Sequence, residues 1–302
     1  MDEDAEKRDT MRKVTLAKTA GFCFGVSRAV DMVYNEIRKG KRVATLGPII
    51  HNESVVSDLA RKGVSVIDEP ALYDESTDVT GMTVVIRSHG VAADVYEKLR
   101  QKKCEIVDST CPFVKKIHDT VQKYAHEGYD ILIVGSREHP EVKGIVGWCL
   151  SRGTVVETKE EMDAFEPANP DKKVCVVAQT TFNYKKFKEL VEIISKKGYD
   201  IIAVNTICNA TAERQQEASA LAAESDAMIV IGGKNSSNSR KLYEISKNQC
   251  ENTNFIQTLE DLDMECIRSS SSLGITAGAS TPKNIIQEVL KACQKKETLE
   301  NY

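Results

Sequence analysis

The 302-residue sequence predicts an α/β fold of three pseudo-threefold related units with parallel sheets. Short β-branched runs alternate with longer helical stretches, as where DIIAVNT precedes ATAERQQEASALAAES, and that alternation builds parallel sheets from strand–helix–strand units. One layout also recurs three times, the mark of an internal repeat. In each copy a strand is expected to end at a cysteine (TAGFCFGV, DSTCPFVK, NTICNATA), a helix follows, and a second strand ends in glycine (RVATLG, DILIVG, AMIVIG). The cysteines are Cys23, Cys111 and Cys208, the glycines Gly47, Gly135 and Gly232, and 24 residues separate each pair (47 − 23, 135 − 111 and 232 − 208).

Four residues beyond the glycines stand His51, His139 and Ser236. A second helix and a short strand then lead to a third matching strand (TVVIRSHG, CVVAQTT, LGITAGAS) and another helix. Counting back ten residues from Leu99, Leu190 and Leu290 lands on His89, Thr180 and Ser280. Each unit thus offers a cysteine and two polar positions at strand ends, where open parallel sheets bind their ligands. Three units around one axis would turn nine side chains inward. Boundaries near Val14, Asp108 and Asn205 give units 14–107, 108–204 and 205–293, with charged tails 1–13 and 294–302 expected to fray. No low-complexity linker separates the units, so they are expected to pack as one compact monomer.

Composition narrows the function. With 41 Lys plus Arg against 45 Asp plus Glu, the net charge of −4 supplies no basic field for nucleic acid or an anionic membrane. No run approaches 18 apolar residues, and the start, MDEDAEKRDTMRK, is too charged for a secretory signal, so the expected location is the cytoplasm. Nine cysteines there read as free thiols or metal ligands rather than a disulfide framework. Cys104, Cys149, Cys175, Cys250, Cys266 and Cys293 hold no equivalent places and read as small core hydrophobes. Cys23, Cys111 and Cys208 each precede a helix, whose N-terminus favours the metal-binding thiolate. The close Cys-x-x-Cys pairs of ferredoxins and zinc ribbons are missing, so the repeat carries the metal argument. Two metals fit three thiolates. A structural zinc would need a histidine as fourth ligand. A 4Fe-4S cluster would leave one iron open to a substrate oxygen. Three equivalent ligands without an obvious fourth favour the cluster.

Of the five histidines, His51, His89 and His139 fall on repeat-equivalent strand ends, whereas His118 and His126 lie on the helix after Cys111 and are expected at the surface. In the third unit the run NSSNS replaces HPE. There Ser236, Ser237 and Asn238 open a helix with hydroxyl, amide and backbone N–H donors that suit phosphate, although plain helix capping is the simpler reading of those residues alone. Convergence with His51, His89 and Ser280 favours the anion site. Glu141 ends HPE, either as a dipole partner of its helix or as the group that hands on a proton when a C–O bond breaks. Its equivalents are Glu53 and Asn238, and symmetry does not tell whether Glu53 or Glu141 faces inward.

GFCFGV, GPIIHNESVV, RSHGV, DSTCPFV, HPEVKG, AQTT, NTICNAT, KNSSNS and TAGAS, in this order and spacing from about Val14 to Cys293, resemble the motifs of the 4-hydroxy-3-methylbut-2-enyl diphosphate reductases, the last enzymes of the non-mevalonate isoprenoid pathway. The resemblance implies a trefoil of three α/β units around one 4Fe-4S cluster ligated by Cys23, Cys111 and Cys208. It implies a diphosphate held by His51, His89, Ser236, Ser237, Asn238 and Ser280, with His139, Glu141 and Thr180 around the substrate hydroxyl. The reaction implied is a two-electron, proton-coupled reductive dehydroxylation at the open iron, giving isopentenyl and dimethylallyl diphosphate, with the proton routed through Glu141. Electrons must come from outside, because no G-x-G-x-x-G nucleotide fingerprint occurs, and a small ferredoxin or flavodoxin is the expected donor. Two rivals from other classes are a non-catalytic cluster protein that relays electrons and a zinc-stabilised binding module.

Cys23→Ser, Cys111→Ser and Cys208→Ser are each expected to lose most of the bound iron and sulphide, while Cys149→Ser and Cys250→Ser keep it. Iron and sulphide analysis of anaerobically purified protein checks this, and full iron content in any of the first three removes that residue from the ligand set.

Overall fold

The computed structural model describes residues 12–294, so the tails at 1–13 and 294–302 lie almost wholly outside the described residues. In chain order the elements are β1 (Lys13–Leu16), α1 (Phe24–Arg38), β2 (Val43–Leu46), α2 (Glu53–Arg61), β3 (Ser65–Ile67), β4 (Thr83–Ile86), α3 (Ala93–Gln101), β5 (Glu105–Asp108), α4 (Pro112–His126), β6 (Asp130–Val134) and α5 (Pro140–Val146). They continue with β7 (Gly153–Val156), α6 (Lys159–Ala164), β8 (Lys173–Ala178), α7 (Tyr184–Ser195), β9 (Asp200–Ala203), α8 (Asn209–Ala223), β10 (Ala227–Ile231), α9 (Ser237–Lys247), β11 (Thr253–Ile256), α10 (Glu265–Arg268), β12 (Ser272–Ala277) and α11 (Lys283–Gln294).

These strands form three four-stranded sheets, ordered β3-β2-β4-β5, β7-β6-β8-β9 and β1-β12-β10-β11, with every pair parallel. Read as β11-β10-β12-β1, the last sheet repeats the order of the other two, shifted round the chain. The strand before each cysteine is therefore the outer strand of the preceding repeat's sheet: β5 before Cys111, β9 before Cys208, and β1 before Cys23. The inner strands β2, β4, β6, β10 and, but for their first residues, β8 and β12 are buried throughout, as expected of parallel strands covered on both faces. The outer strands β1, β5 and β9 carry exposed or half-buried side chains only. The chain divides into two compact units, one running to Phe22 and resuming at Glu213, the other Cys23–Ala212. The first holds the sheet of β1, β10, β11 and β12, and the second holds the other two.

Helix starts, rather than strand ends, are the fixed points of the repeat. Each of α1, α4 and α8 has 15 residues and begins one residue after its cysteine. The cysteines themselves lie 7, 3 and 5 residues beyond their strands (23 − 16, 111 − 108 and 208 − 203). Strand register also refines the polar equivalences. Leu46 pairs with Ile86, Val134 with Ala178 and Ile231 with Ala277, which matches His89 with Thr181 and Ser280 and sets Thr180 opposite Ser88. Counting from the helical leucines missed this because 12 residues separate Ala178 from Leu190, against 13 in the other repeats (190 − 178, 99 − 86 and 290 − 277).

Two expectations about individual side chains change. His118 is 3% exposed, because it belongs to the stripe Val114, Ile117, His118, Val121 and Ala125 that α4 turns inward at helical spacing, whereas His126 at the end of the helix is exposed. Cys149, Cys175, Cys250 and Cys293 are buried and Cys104 partly so, but Cys266 is exposed. No helix of the described residues is long and apolar enough to cross a membrane.

Candidate functional site

Cys23 and Cys111 take extended backbone conformations and cap α1 and α4. The Cys111 amide donates to the Ser88 carbonyl and the Cys208 amide to the Thr180 carbonyl, both at 3.0 Å, so each is tied to the sheet before it at an equivalent position. Gly25 explains how α1 begins against the second cysteine: a Cβ there would stand 2.6 Å from the Cys111 sulfur. The three thiols share one electrostatic neighbourhood, Cys111 responding to Cys23 and Cys208, and Cys208 to Cys23 and Glu141. Burial pushes the Cys111 and Cys208 thiols up, against backbone N–H groups of the following helical turn that pull them down. The helix N-terminus thus acts in the expected direction and is outweighed by burial. A coordinated cation would reverse the balance, since a ligating thiol is deprotonated outright.

Among the described residues, His51, His89 and His139 are the group of His, Cys, Asp or Glu side chains whose ligand atoms lie mutually within 4.8 Å. The three cysteines offer soft thiolate donors of the type that zinc and iron–sulphur groups both take.

His51, His89 and His139 meet as the repeat predicts, with ring centroids 4.5, 5.5 and 5.4 Å apart. Burial holds all three below the ordinary histidine range: His139 is down at about 3, and His89 lies well below its usual value with further depression from His51, His139 and Arg87. They are therefore neutral at neutral pH. The Nδ1 of His139 accepts the Glu141 amide at 3.1 Å and so caps α5, which leaves the ring proton on Nε2. Imidazoles this close could hold a metal ion. The Arg87 guanidinium, whose charge reaches all three, opposes further positive charge on or beside the rings. Sequence reasoning missed Arg87, which is 8% exposed and ion-paired to Glu69 at 2.8 Å; its signal was its place two residues before His89 in RSHG.

Glu141, 1% exposed, faces inward, and Glu53, at the first position of α2, is exposed. Its two carboxyl oxygens accept the Thr180 amide at 2.6 Å and the Thr180 hydroxyl at 2.7 Å. Burial nonetheless pushes the carboxyl up to about 7, past the two hydrogen bonds that favour its ionised form. An acid poised there can hold or release a proton near neutrality.

In the other compact unit Ser236 caps α9 and its hydroxyl accepts the Ser239 amide at 3.3 Å, so the capping reading of NSSNS holds. More than capping is present. Asn238 is 5% exposed with neither its side-chain oxygen nor its nitrogen hydrogen-bonded, which is costly unless a ligand completes them. Ser237 is half-buried at the start of α9, and Ser280 is buried in the turn between β12 and α11.

Parallel α/β repeats with one cysteine at each helix start define a class of α/β repeat protein with thiols, a buried acid and neutral imidazoles at the ends of its sheets. Within that class the chain belongs to the LytB protein family, which matches residues 14–294. Relatives named 4-hydroxy-3-methylbut-2-enyl diphosphate reductase include those of Thermoanaerobacter sp. (strain X514), 48% identical over 281 residues with 92% of this chain and 96% of that protein covered, and of Aquifex aeolicus (strain VF5), 44% identical with 94% and 97% covered. Two solved structures resemble it. One, described as (E)-4-hydroxy-3-methyl-but-2-enyl diphosphate reductase, the terminal enzyme of the non-mevalonate pathway, is 43% identical at a TM-score of 0.67 and covers 94% of this chain and 99% of its own. The other, a reductase from Plasmodium falciparum, is 28% identical at a TM-score of 0.88, covering 95% and 89%.

Glu141 predicts a pH dependence of stability in the metal-free protein. Its folded carboxyl titrates at about 7 against 4.5 for the ordinary group, so the folded state holds the proton more tightly. The stability this contributes is complete below the unfolded value and is lost as pH rises through the folded one, by roughly 3 kcal/mol for a shift of that size. Urea unfolding of wild type and Glu141→Gln across this range should show the variant gaining stability relative to wild type as pH rises.

Proposed function

We propose that this chain is a 4-hydroxy-3-methylbut-2-enyl diphosphate reductase. It takes two electrons and two protons to replace the allylic hydroxyl with hydrogen, releasing water and isopentenyl or dimethylallyl diphosphate. The observation that carries the reading is Glu141, a buried acid titrating at about 7, bound to Thr180 and within electrostatic reach of Cys208. A proton source beside a metal ligand is what removal of a hydroxyl as water requires. The names of the relatives and the donor set of the imidazoles support the substrate class.

Cys23, Cys111 and Cys208 would hold a 4Fe-4S cluster. When bound, that group supplies electrons and one Lewis-acidic iron. The protein supplies the rest. His51 and His89 grip the diphosphate with ring N–H groups. In the other compact unit, Ser236, Ser237, Asn238 and Ser280 offer hydroxyl and amide donors of the kind that suits a phosphate, and a ligand there would give Asn238 the partners it lacks. His139, with Nδ1 committed to the α5 cap, turns its Nε2–H to the ligand. Thr180 orients Glu141 through two hydrogen bonds, and Glu141 passes its proton to the departing hydroxyl oxygen. Burial of these groups keeps water from competing for the same donors. Electrons arrive from a small ferredoxin or flavodoxin.

Glu141→Gln separates proton delivery from binding. Glutamine preserves shape and hydrogen bonding but cannot cycle a proton, so turnover of the allylic diphosphate should fall by about 10² to 10⁴ while substrate still binds and perturbs the iron spectrum. Glu53→Gln, at the exposed counterpart, should turn over normally. Near-wild-type turnover in Glu141→Gln, or an equal loss in both variants, would defeat the assignment.

A further inference from the structure

The turn that carries His89 is gripped from behind by the far end of the helix that carries His139 and Glu141. Gly90 adopts φ +71°, and a Cβ on it would stand 2.7 Å from the His118 ring and 3.0 Å from the Thr110 methyl. The next residue, Val91, accepts the indole N–H of Trp148 on its carbonyl at 2.9 Å. That indole lies flat on the buried His118, with ring centroids 5.2 Å apart and planes at 15°. Gly144 in α5 brings its backbone against Val91, where an added Cβ would make ordinary contacts at 3.5 Å. Gly147, closing the same helix, leaves no such room: a Cβ there would come within 2.2 Å of the Ala92 Cβ.

Glycine is a poor helix former, yet α5 and its C-terminal cap use two within 8 residues, both against the segment that follows His89. Helix α5 has only 7 residues and, at about 1.5 Å rise per residue, is too short to flex between its ends. Its N-terminal end sets His139 and Glu141, and its C-terminal end sets residues 90–92. We propose that Trp148 and Gly147 are positioning residues that lock residues 90–92 to α5 and thereby hold the His89 imidazole at the separation from His51 and His139 that a diphosphate requires. The inference rests on the diphosphate reading of His89. Neither residue touches the ligand, and both act through the backbone that carries the imidazole.

Holoenzyme kinetics with direct binding of inorganic pyrophosphate test this. Trp148→Phe keeps an aromatic ring beside His118 while removing the indole N–H and some ring volume, and Trp148 borders a cavity of about 470 Å³ shared with Tyr96 and His118, so the smaller ring is tolerated. Loss of one hydrogen bond should raise KM and the pyrophosphate Kd about three- to tenfold, with kcat and iron content within twofold of wild type, because interactions with a non-reacting group bind ground and transition states alike. Gly147→Ala should raise KM further, and Ala92→Gly in the same chain should recover part of the loss by removing the opposing Cβ. A packing role alone predicts lower thermal stability and a smaller active fraction at unchanged KM. If His89→Ala weakens pyrophosphate binding while Trp148→Phe and Gly147→Ala leave KM unchanged, the clamp is wrong. Unchanged pyrophosphate affinity in His89→Ala itself would overturn the diphosphate reading and the clamp with it.

Discussion

Thr180 joins the buried acid Glu141 to Cys208. Its amide and hydroxyl donate to the two Glu141 oxygens at 2.6 and 2.7 Å, and its carbonyl accepts the Cys208 amide at 3.0 Å. One residue, two beyond the end of β8, thereby ties down both the proton-bearing group and the turn that presents a thiol. The consequence is electrostatic as well as geometric. Glu141 is raised by burial, and Cys208 is raised by burial and by the nearness of Cys23 and Glu141, so the protonation of each group bears on the other.

The imidazoles obey the same logic with the opposite charge. Burial and the Arg87 guanidinium keep His51, His89 and His139 neutral, so each ring has an N–H to offer an arriving anion, and that of His139 is already aimed by the α5 cap. Preorganised donors of this kind cost little to engage, since their desolvation was completed on folding. In the other compact unit, the unsatisfied Asn238 carries the same signature of a site formed before its ligand arrives.

How much of this could be read from the sequence depended on what the repeat held constant. The invariant separation of cysteine from glycine spans a helix of fixed length that starts at the cysteine, so three parallel sheets and their cysteine-first helices were legible. Loops of unequal length blurred the rest. Asn52 caps α2 five residues after Gly47, whereas His139 and Ser236 cap their helices four after theirs (52 − 47, 139 − 135 and 236 − 232), and this extra residue puts Glu53 at the first exposed position of its helix while Glu141 sits one further in. The shorter run from β8 to Leu190 hid the match of His89 with Thr181, although Thr180 still reaches the site through Glu141. His118 was misplaced for a different reason. Its place on the helix after Cys111 did not say which face it takes, whereas the helical spacing of Val114, Ile117, Val121 and Ala125 marks the buried face it shares. Arg87 and Trp148 lacked repeat-equivalent partners of their own type, and only contacts reveal what they do.

The central claim is that Glu141 delivers the proton to the departing hydroxyl, and a crystal structure of the anaerobic holoenzyme with its allylic diphosphate tests it most directly. The account predicts the Glu141 carboxyl within hydrogen-bond reach, about 2.6–3.2 Å, of the substrate hydroxyl oxygen, with Thr180 still donating to it. A substrate hydroxyl that instead lies beyond reach of Glu141, with the carboxyl closed on Thr180 alone, would contradict it.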